Sequence, residues 1–462
     1  MHNKKYTDIC AIILAAGKGT RMQSAKPKVL HTLLGEYMLA YVLNSLTNLI
    51  EEKNIWTIIG YKKDMLMSQF PSWSEQMLEQ AEQLGTGHAI QCSYPWIKKS
   101  RCDKCLVVNG DAPMLNYNVL QNLIQQWEEN YSSIAFLTIE LEDPTGYGRV
   151  IRDHQGRVSC IVEEKDIKDP ETENIKEVNA GVYLISRQIL YNYLHLLDNN
   201  NRQKEYYLTE LIHISVKNNH RVDAYCAGKD SSLLGVNSPQ DLINCEQILK
   251  RQRNRELADS GVILRNPESV RIGPTAFIHP DVDMTGPVEI YGDTEVESGC
   301  KIHSHVFIQD CKLGKDCILK SFSHLEGANI ENSCELGPFA RIRAETQMEQ
   351  EVKVGNFVEV KKSHLKKGCK ANHLSYLGDA EVGEEANIGA GSITCNYDGK
   401  NKHVSVIGKR CFIGSNTSLI APLRIGEDSL VAAGSTINRN VPENTLAVAR
   451  TKQKNLQKKY VK

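Results

Sequence analysis

Residues Ile272–Ile308, IGPTAFIHPDVDMTGPVEIYGDTEVESGCKIHSHVFI, decide the fold, because an aliphatic side chain returns at Ile272, Ile278, Met284, Ile290, Val296, Ile302 and Ile308. A helix repeats at about 3.6 residues and a flat strand at about 2, so this wider period predicts short strands separated by corners and stacked as a coil. The phase slips and resumes at Leu313, Leu319 and Leu325, then at Leu336 and Ile342. It runs again through Leu377, Val382, Ile388 and Thr394, and last through Ile407, Ile413, Leu419, Ile425, Val431 and Ile437.

Glycine follows many of these aliphatics, as in Ile272-Gly273, Leu336-Gly337, Val354-Gly355 and Ile413-Gly414. That placement predicts a corner with an unusual backbone angle at the glycine. Two residues before the aliphatic the chain keeps small side chains, among them Ala276, Cys300, Cys311, Cys317, Cys334, Ala340, Cys369, Ala386 and Cys411. A narrow core then takes one large and one small occupant per rung. The pattern resembles the hexapeptide repeat of acyltransferases, and that resemblance implies a left-handed parallel β-helix.

The whole composition narrows the rest. A chain of 462 residues exceeds one ordinary core, so at least two domains are expected. A net charge of −1 provides no global field for nucleic acid or an anionic membrane, so anions have to be held locally. The start, MHNKKYTDICAIILAAG, has too short an apolar run for a signal peptide, and no segment approaches the ~20 apolar residues of a membrane span. A cytoplasmic enzyme is the expectation. Its fourteen cysteines are then expected as free thiols, and Cys102-x-x-Cys105 lacks the second pair that a structural zinc needs.

Residues 9–14, Ile-Cys-Ala-Ile-Ile-Leu, predict a buried strand, and Ala15-Ala16-Gly17-Lys18-Gly19-Thr20-Arg21-Met22 follows directly. A glycine-rich loop after a strand exposes several backbone N–H groups at one place, which suits phosphates. Strand-like runs at Ile55 to Gly60, Cys105 to Val108 and Ser133 to Leu141 alternate with helical patterns near Met38 to Leu49 and Asn118 to Glu129. This alternation predicts a Rossmann-like α/β layer with ligands at the strand carboxyl ends.

The strings LAAGKGTRM and KPKVLH resemble the sugar-nucleotide pyrophosphorylases. Together with Gln80–His88, Asn109-Gly110-Asp111, Gly146–Arg149, Asn179–Gly181 and Gly235–Asn237, the N-terminal half is similar to the uridylyltransferase half of the GlmU family, whose members make UDP-N-acetylglucosamine. The resemblance implies that Leu14, Ala15, Ala16, Gly17, Gln80, Gly85 and Thr86 hold the uracil and ribose of UTP. Gly148, Glu163 and Asn179 would hold the sugar, with Asn109 and Gly110 beside Asp111. It further implies Mg²⁺ on Asp111 and Asn237, with Arg21 and Lys28 on the phosphates. The chemistry agrees, because Mg²⁺ is a hard ion that takes few protein oxygens plus phosphate oxygens, and cations neutralise phosphate charge.

Farther along, the repeat reads as broken around Ala344 to Val352 and again around Asn396 to Val406, which predicts outward loops. Lys370-Ala-Asn-His373-Leu-Ser-Tyr376 and the run NIGAGSITCNYDGKNKH resemble the acetyltransferase half of the same family. The resemblance implies that His373 is the general base toward glucosamine 1-phosphate and that Glu359 orients it. Arg343, Lys361, Tyr376 and Asn387 would grip the sugar phosphate. Ala390, Asn396, Tyr397, Ser415, Ala433 and Arg450 would contact acetyl-CoA. The sequence departs from the family at Asn109, Ala180, Asn372 and Ala344-Glu345, where Tyr, Thr, Gly and Pro-Gly are usual.

The expected organisation is thus a pyrophosphorylase domain over residues 1–238, a linker helix over 239–261 opened by Ser238-Pro239-Gln240-Asp241, and an acetyltransferase β-helix over 262–462. N-acetylglucosamine 1-phosphate, the product of the second site, is then the substrate of the first. The flat faces of such a coil imply a homotrimer. Two rival readings are a nucleotidyltransferase whose coil is only structural, and a non-catalytic regulatory subunit of an exchange-factor assembly.

Overall fold

The computed structural model describes residues 5–229 and 233–457. The chain forms two compact units, Met1–Gln247 and Ile248–Lys462, divided inside the long helix Pro239–Asp259. That helix starts on a reciprocal cap. Ser238 Oγ accepts the Asp241 N–H at 3.2 Å, and Asp241 Oδ2 accepts the Ser238 N–H at 2.9 Å.

In the first unit a mixed sheet runs in the order Val222–Cys226, Ile134–Glu140, Glu177–Ser186, Lys104–Asn109, Ile9–Leu14, Ile55–Ile59, Met77–Glu79. Ile9–Leu14 lies centrally, parallel to Lys104–Asn109 and to Ile55–Ile59. Its residues alternate between two buried faces: Ile9, Ala11 and Ile13 join one hydrophobic cluster, Cys10 and Ile12 the other. Burial on both sides explains why this strand is a continuous apolar run without alternation. Glu177–Ser186 is antiparallel to both its neighbours, and its register slips between Asn179 and Tyr183. Such a slip interrupts the ladder beside Asn179.

The second unit is a left-handed parallel β-helix of three sheets, with eleven, ten and nine strands among the described residues. Each sheet stacks one strand per turn, for example Ile272, Ile290, Ile308, Leu325, Ile342, Val360 and Leu377 in one column. All of these are 1 % exposed or less, and each such burial contributes about 1.5–3 kcal/mol. The small partners Cys300, Cys317, Cys334 and Ala386 are buried beside them. All fourteen cysteines are free, including the buried pair Cys102 and Cys105.

Two expectations about the coil are corrected. The glycine after the aliphatic is seldom the corner, which instead falls on residues such as His305, Phe322, Phe339, Phe357 and Leu374, with φ between 52° and 63°. What demands glycine there is the next rung: a Cβ on Gly355 would lie 1.9 Å from the Asn372 carbonyl oxygen, and one on Gly414 2.4 Å from the Ala433 nitrogen. The repeat is also unbroken between Ala344 and Val352, since Thr346–Met348 pairs with Ala328–Ile330 and Met348 fills the aliphatic slot. Leu336, Ile342, Met348 and Val354 keep the spacing of six, with Met348 in an aliphatic slot as Met284 is earlier in the coil. The second predicted loop is present. Val382 pairs with Ile407, twenty-five residues on, whereas Leu365 and Val382 are seventeen apart.

Candidate active sites

The first site lies at the carboxyl ends of Ile9–Leu14 and Lys104–Asn109, where parallel strands release their loops side by side. A cavity of about 280 Å³ is lined by Leu14, Ala15, Ala16, Gly17, Lys28, Gln80, Gly85, Thr86, Asn109 and Asp111. A second cavity of about 320 Å³ is lined by Arg21, Gly148, Glu163, Asn179 and Asn237 together with Leu14, Thr86, Asn109 and Asp111. The two share the last four residues, so they are chambers of one cleft. The residues expected on the nucleotide line the first chamber, and those expected on the sugar line the second. Gly110 lines neither; its N–H donates to the Leu14 carbonyl at 2.9 Å and joins the two strand ends.

Charge concentrates on the wall between the chambers. Lys28 is ion-paired with Asp111 and donates to Asn237 Oδ1 at 3.1 Å, while Arg21 donates to the same oxygen at 2.8 Å. Asp111 Oδ1 is buried without a hydrogen-bond partner. Asn237 is fixed by its own N–H donating to Asp241 Oδ2 at 2.9 Å, and Gly235 is obligatory because a Cβ there would meet Asp111 Oδ1 at 2.4 Å. Two hard oxygen donors already facing a cation, one with a free lone pair, fit a hydrated Mg²⁺.

In the first chamber Gln80 is 3 % exposed and donates to the Gly85 carbonyl at 3.0 Å. In the second, Glu163 accepts the Thr209 hydroxyl at 2.8 Å, and burial raises its carboxyl above the ordinary value. A carboxylate raised in the folded state weakens the fold as pH climbs from the unfolded value through the folded one. Glu163→Gln is therefore expected to stabilise the first unit by about 1 kcal/mol at pH 7, with the gain fading in acid, while weakening sugar binding. Thermal unfolding at pH 4 and pH 7 measures the first effect and isothermal titration the second.

Asn179 Nδ2 donates to the Tyr183 hydroxyl at 2.5 Å and Asn179 Oδ1 accepts the Gly181 N–H at 3.0 Å, so the backbone at the slip and its side chain are locked together. Sequence reading missed Gln83, Glu205, Tyr147, Tyr183 and Thr209, which also line the cleft. Gln83 and Tyr147 lie inside the glycine-bearing stretches already singled out, Tyr183 is in the strand Glu177–Ser186, and Glu205 and Thr209 belong to no quoted motif.

The second site is on the β-helix. Val354, Ala371, Ile388, Ile413 and Val431 stack in register. Two positions after each come Asn356, His373, Ala390, Ser415 and Ala433, which therefore form a column along one edge. Hydrogen bonds tie the rungs, from Asn416 N–H to the Ala390 carbonyl at 2.7 Å and from Gly434 N–H to the Ser415 carbonyl at 2.8 Å. Arg450 closes the far end by donating to the Ala433 carbonyl at 2.7 Å. With strands about 4.8 Å apart, His373 stands ~14 Å from Ala433 across small side chains. Such a row of small side chains leaves room for an extended ligand chain whose reactive end reaches His373.

On the adjoining sheet Glu359 pairs in register with Tyr376, and Lys361 with Gly378. Arg343 donates to Glu359 at 2.8 Å. Lys402, from the inserted loop, and then Arg343 lower the Lys361 ammonium pKa by like-charge proximity. Three cations crowded on an exposed surface favour a phosphate dianion. Lys402 lies in the same quoted run as Asn396 and Tyr397 but was not singled out, and only the fold brings it beside Lys361. Asn387 lies in register with Lys370, one rung beyond it. Asn396 is nearly buried and donates to Asp379, while Tyr397 beside it is exposed. The Asn372 departure costs no backbone strain, since its φ is an ordinary strand value. His373 Nδ1 lies 3.1 Å from Asn356 Oδ1.

Residues 10–249 match the nucleotidyl transferase family and residues 405–439 the bacterial transferase hexapeptide family. The chain is 46 % identical over 453 residues to the bifunctional protein GlmU of Nitratidesulfovibrio vulgaris, covering 97 % of this chain and 98 % of that one. It is 45 % identical over 462 residues to that of Oleidesulfovibrio alaskensis, covering 99 % of both, and 40 % identical over 445 residues to that of Streptococcus mutans, covering 96 % of both. The likeness runs through both units, which favours two activities over either rival reading. With a nucleotidyl transferase domain at one end and a hexapeptide coil at the other, the chain belongs to the GlmU family of bifunctional enzymes of UDP-N-acetylglucosamine synthesis.

Proposed function

We propose that the β-helix acetylates glucosamine 1-phosphate with acetyl-CoA and that the α/β unit then transfers UMP from UTP to the N-acetylglucosamine 1-phosphate so formed, releasing pyrophosphate. The observation that supports this best is the pairing of a two-chambered cleft, joined at Asp111, with a separate column of small side chains that leads along the coil to His373.

In the coil Arg343, Lys361 and Lys402 hold the sugar phosphate, and Tyr376 and Asn387 border the sugar. Asn396 and Tyr397 lie on the acetyl-CoA side, as do Ala390, Ser415, Ala433 and Arg450. His373 Nε2 takes the proton of the amine as it attacks the thioester carbonyl, and the thiolate of CoA leaves. A neutral imidazole is suited to that task near pH 7.

In the cleft Gln80, Gly85 and Thr86 hold the base, and Gly148, Glu163 and Asn179 the sugar. The sugar phosphate oxygen attacks the α-phosphorus in line while Arg21 and Lys28 neutralise the leaving charge. Mg²⁺ on Asp111 and Asn237 would supply further charge neutralisation across the phosphates.

No helix among the described residues is long and apolar enough to cross a membrane. Substrates of this kind place the enzyme in the cytoplasm. A homotrimer fits the exposed column Phe322, Phe339 and Phe357, whose rings stack at 4.8 and 5.0 Å and present apolar surface. Light scattering at three times the chain mass is expected. Purified protein given glucosamine 1-phosphate, acetyl-CoA, UTP and Mg²⁺ is expected to form UDP-N-acetylglucosamine with one equivalent each of free CoA thiol and pyrophosphate. Absence of thiol release from glucosamine 1-phosphate and acetyl-CoA, by a preparation that does form pyrophosphate from UTP and supplied N-acetylglucosamine 1-phosphate, would reduce the coil to a scaffold.

A further inference from the structure

A general base of the kind assigned to His373 needs a partner on its other ring nitrogen, because that partner decides which nitrogen keeps a lone pair. Glu359 is the acidic neighbour expected in that role, yet its carboxylate accepts from the Arg343 guanidinium at 2.8 Å. The group that meets His373 Nδ1 is Asn356 Oδ1, at 3.1 Å.

Asn356 is held for this contact. It is the register partner of His373 on the preceding rung. Its carbonyl accepts the Leu374 N–H at 3.0 Å, so the backbones on which the two side chains ride are joined by a hydrogen bond. Phe357 next to it occupies a left-handed corner, φ 56°, and stacks on Phe339. The His373 backbone is held as well, since Ser375 Oγ donates to its carbonyl at 2.9 Å.

We propose that Asn356 is the positioning residue of the acetyl-transfer site. Its amide oxygen can only accept, so it holds the proton on Nδ1 and leaves the Nε2 lone pair for the amine of the sugar. Glu359 serves instead to fix Arg343 for the phosphate. The orienting partner is thus neutral, and no carboxylate stabilises the imidazolium through Nδ1. This assignment rests on His373 being the base of acetyl transfer.

Full-length variants test it. Asn356→Leu keeps the shape and removes the acceptor; it is expected to lower kcat for acetyl transfer ~10–100-fold while KM for both substrates changes less than about twofold. Asn356→Asp, which keeps an acceptor oxygen, is expected to recover most of that loss. Glu359→Gln is expected to act mainly on KM for the sugar phosphate. Thermal unfolding of the same preparations reports that the β-helix of each variant is folded. Nitrogen-15 NMR of the wild type is expected to show the Nδ1–H tautomer at His373, and Asn356→Leu a mixture of tautomers. Wild-type kcat in Asn356→Leu, together with an inactive His373→Ala, would overturn the role of Asn356 alone. Undiminished acetyl transfer in His373→Ala would overturn the base itself.

Discussion

His373→Ala is expected to lower acetyl transfer by ~10²–10⁴-fold, the usual contribution of a positioned general base, and to leave uridylyl transfer within about twofold of wild type. The separation follows from the architecture. His373 lies on the β-helix and every residue of the phosphate cleft lies in the other compact unit. The side chain is exposed, so the variant should unfold within about 0.5 kcal/mol of wild type. Thiol release from acetyl-CoA measures the loss, and added imidazole should restore part of it. Loss of both activities at unchanged stability would mean that the two sites are not independent.

Asp111→Ala is the counterpart. It is expected to lower uridylyl transfer by ~10³-fold or more, because the carboxylate is both the proposed metal ligand and the ion-pair partner of Lys28. Several kcal/mol of phosphate charge stabilisation depend on those two groups together. Acetyl transfer should persist. A readout apart from turnover is Mn²⁺ binding in the presence of UTP, followed by electron paramagnetic resonance, which should vanish in the variant. Retained uridylyl transfer would remove this cleft from the chemistry, since both chambers share Asp111.

Other variants move smaller quantities. Glu163→Gln trades sugar affinity for stability because its carboxylate is desolvated, and the Asn356 variants change kcat without touching either substrate's grip.

Much of the molecule was present in the order of its residues. A spacing of six between aliphatics, with a small residue two places before each, can be met by few folds, because a coil repeats its environment once per side. The catalytic candidates were equally local. Ala15–Gly17 follow their strand directly, and Asn109-Gly110-Asp111 end theirs, so short-range rules put both at the same sheet edge.

Tertiary structure decided the rest. That Gly355 is required by the Asn372 carbonyl and not by its own φ depends on a neighbour seventeen residues away. Thr209 and Glu205 entered the cleft from segments that carry no repeat or motif, and Lys402 reached Lys361 from the insertion between two rungs. Glu359 sits close in sequence to Asn356, and no pattern distinguishes which of them reaches His373. The choice is made by strand register, which aligns Asn356 with His373 and Glu359 with Tyr376. The sequence by itself determined the solenoid, the phosphate loop and the residue types at each site. Folding determined which polar groups meet, because hydrogen bonds between rungs act over a few ångströms of space that spacing along the chain does not measure.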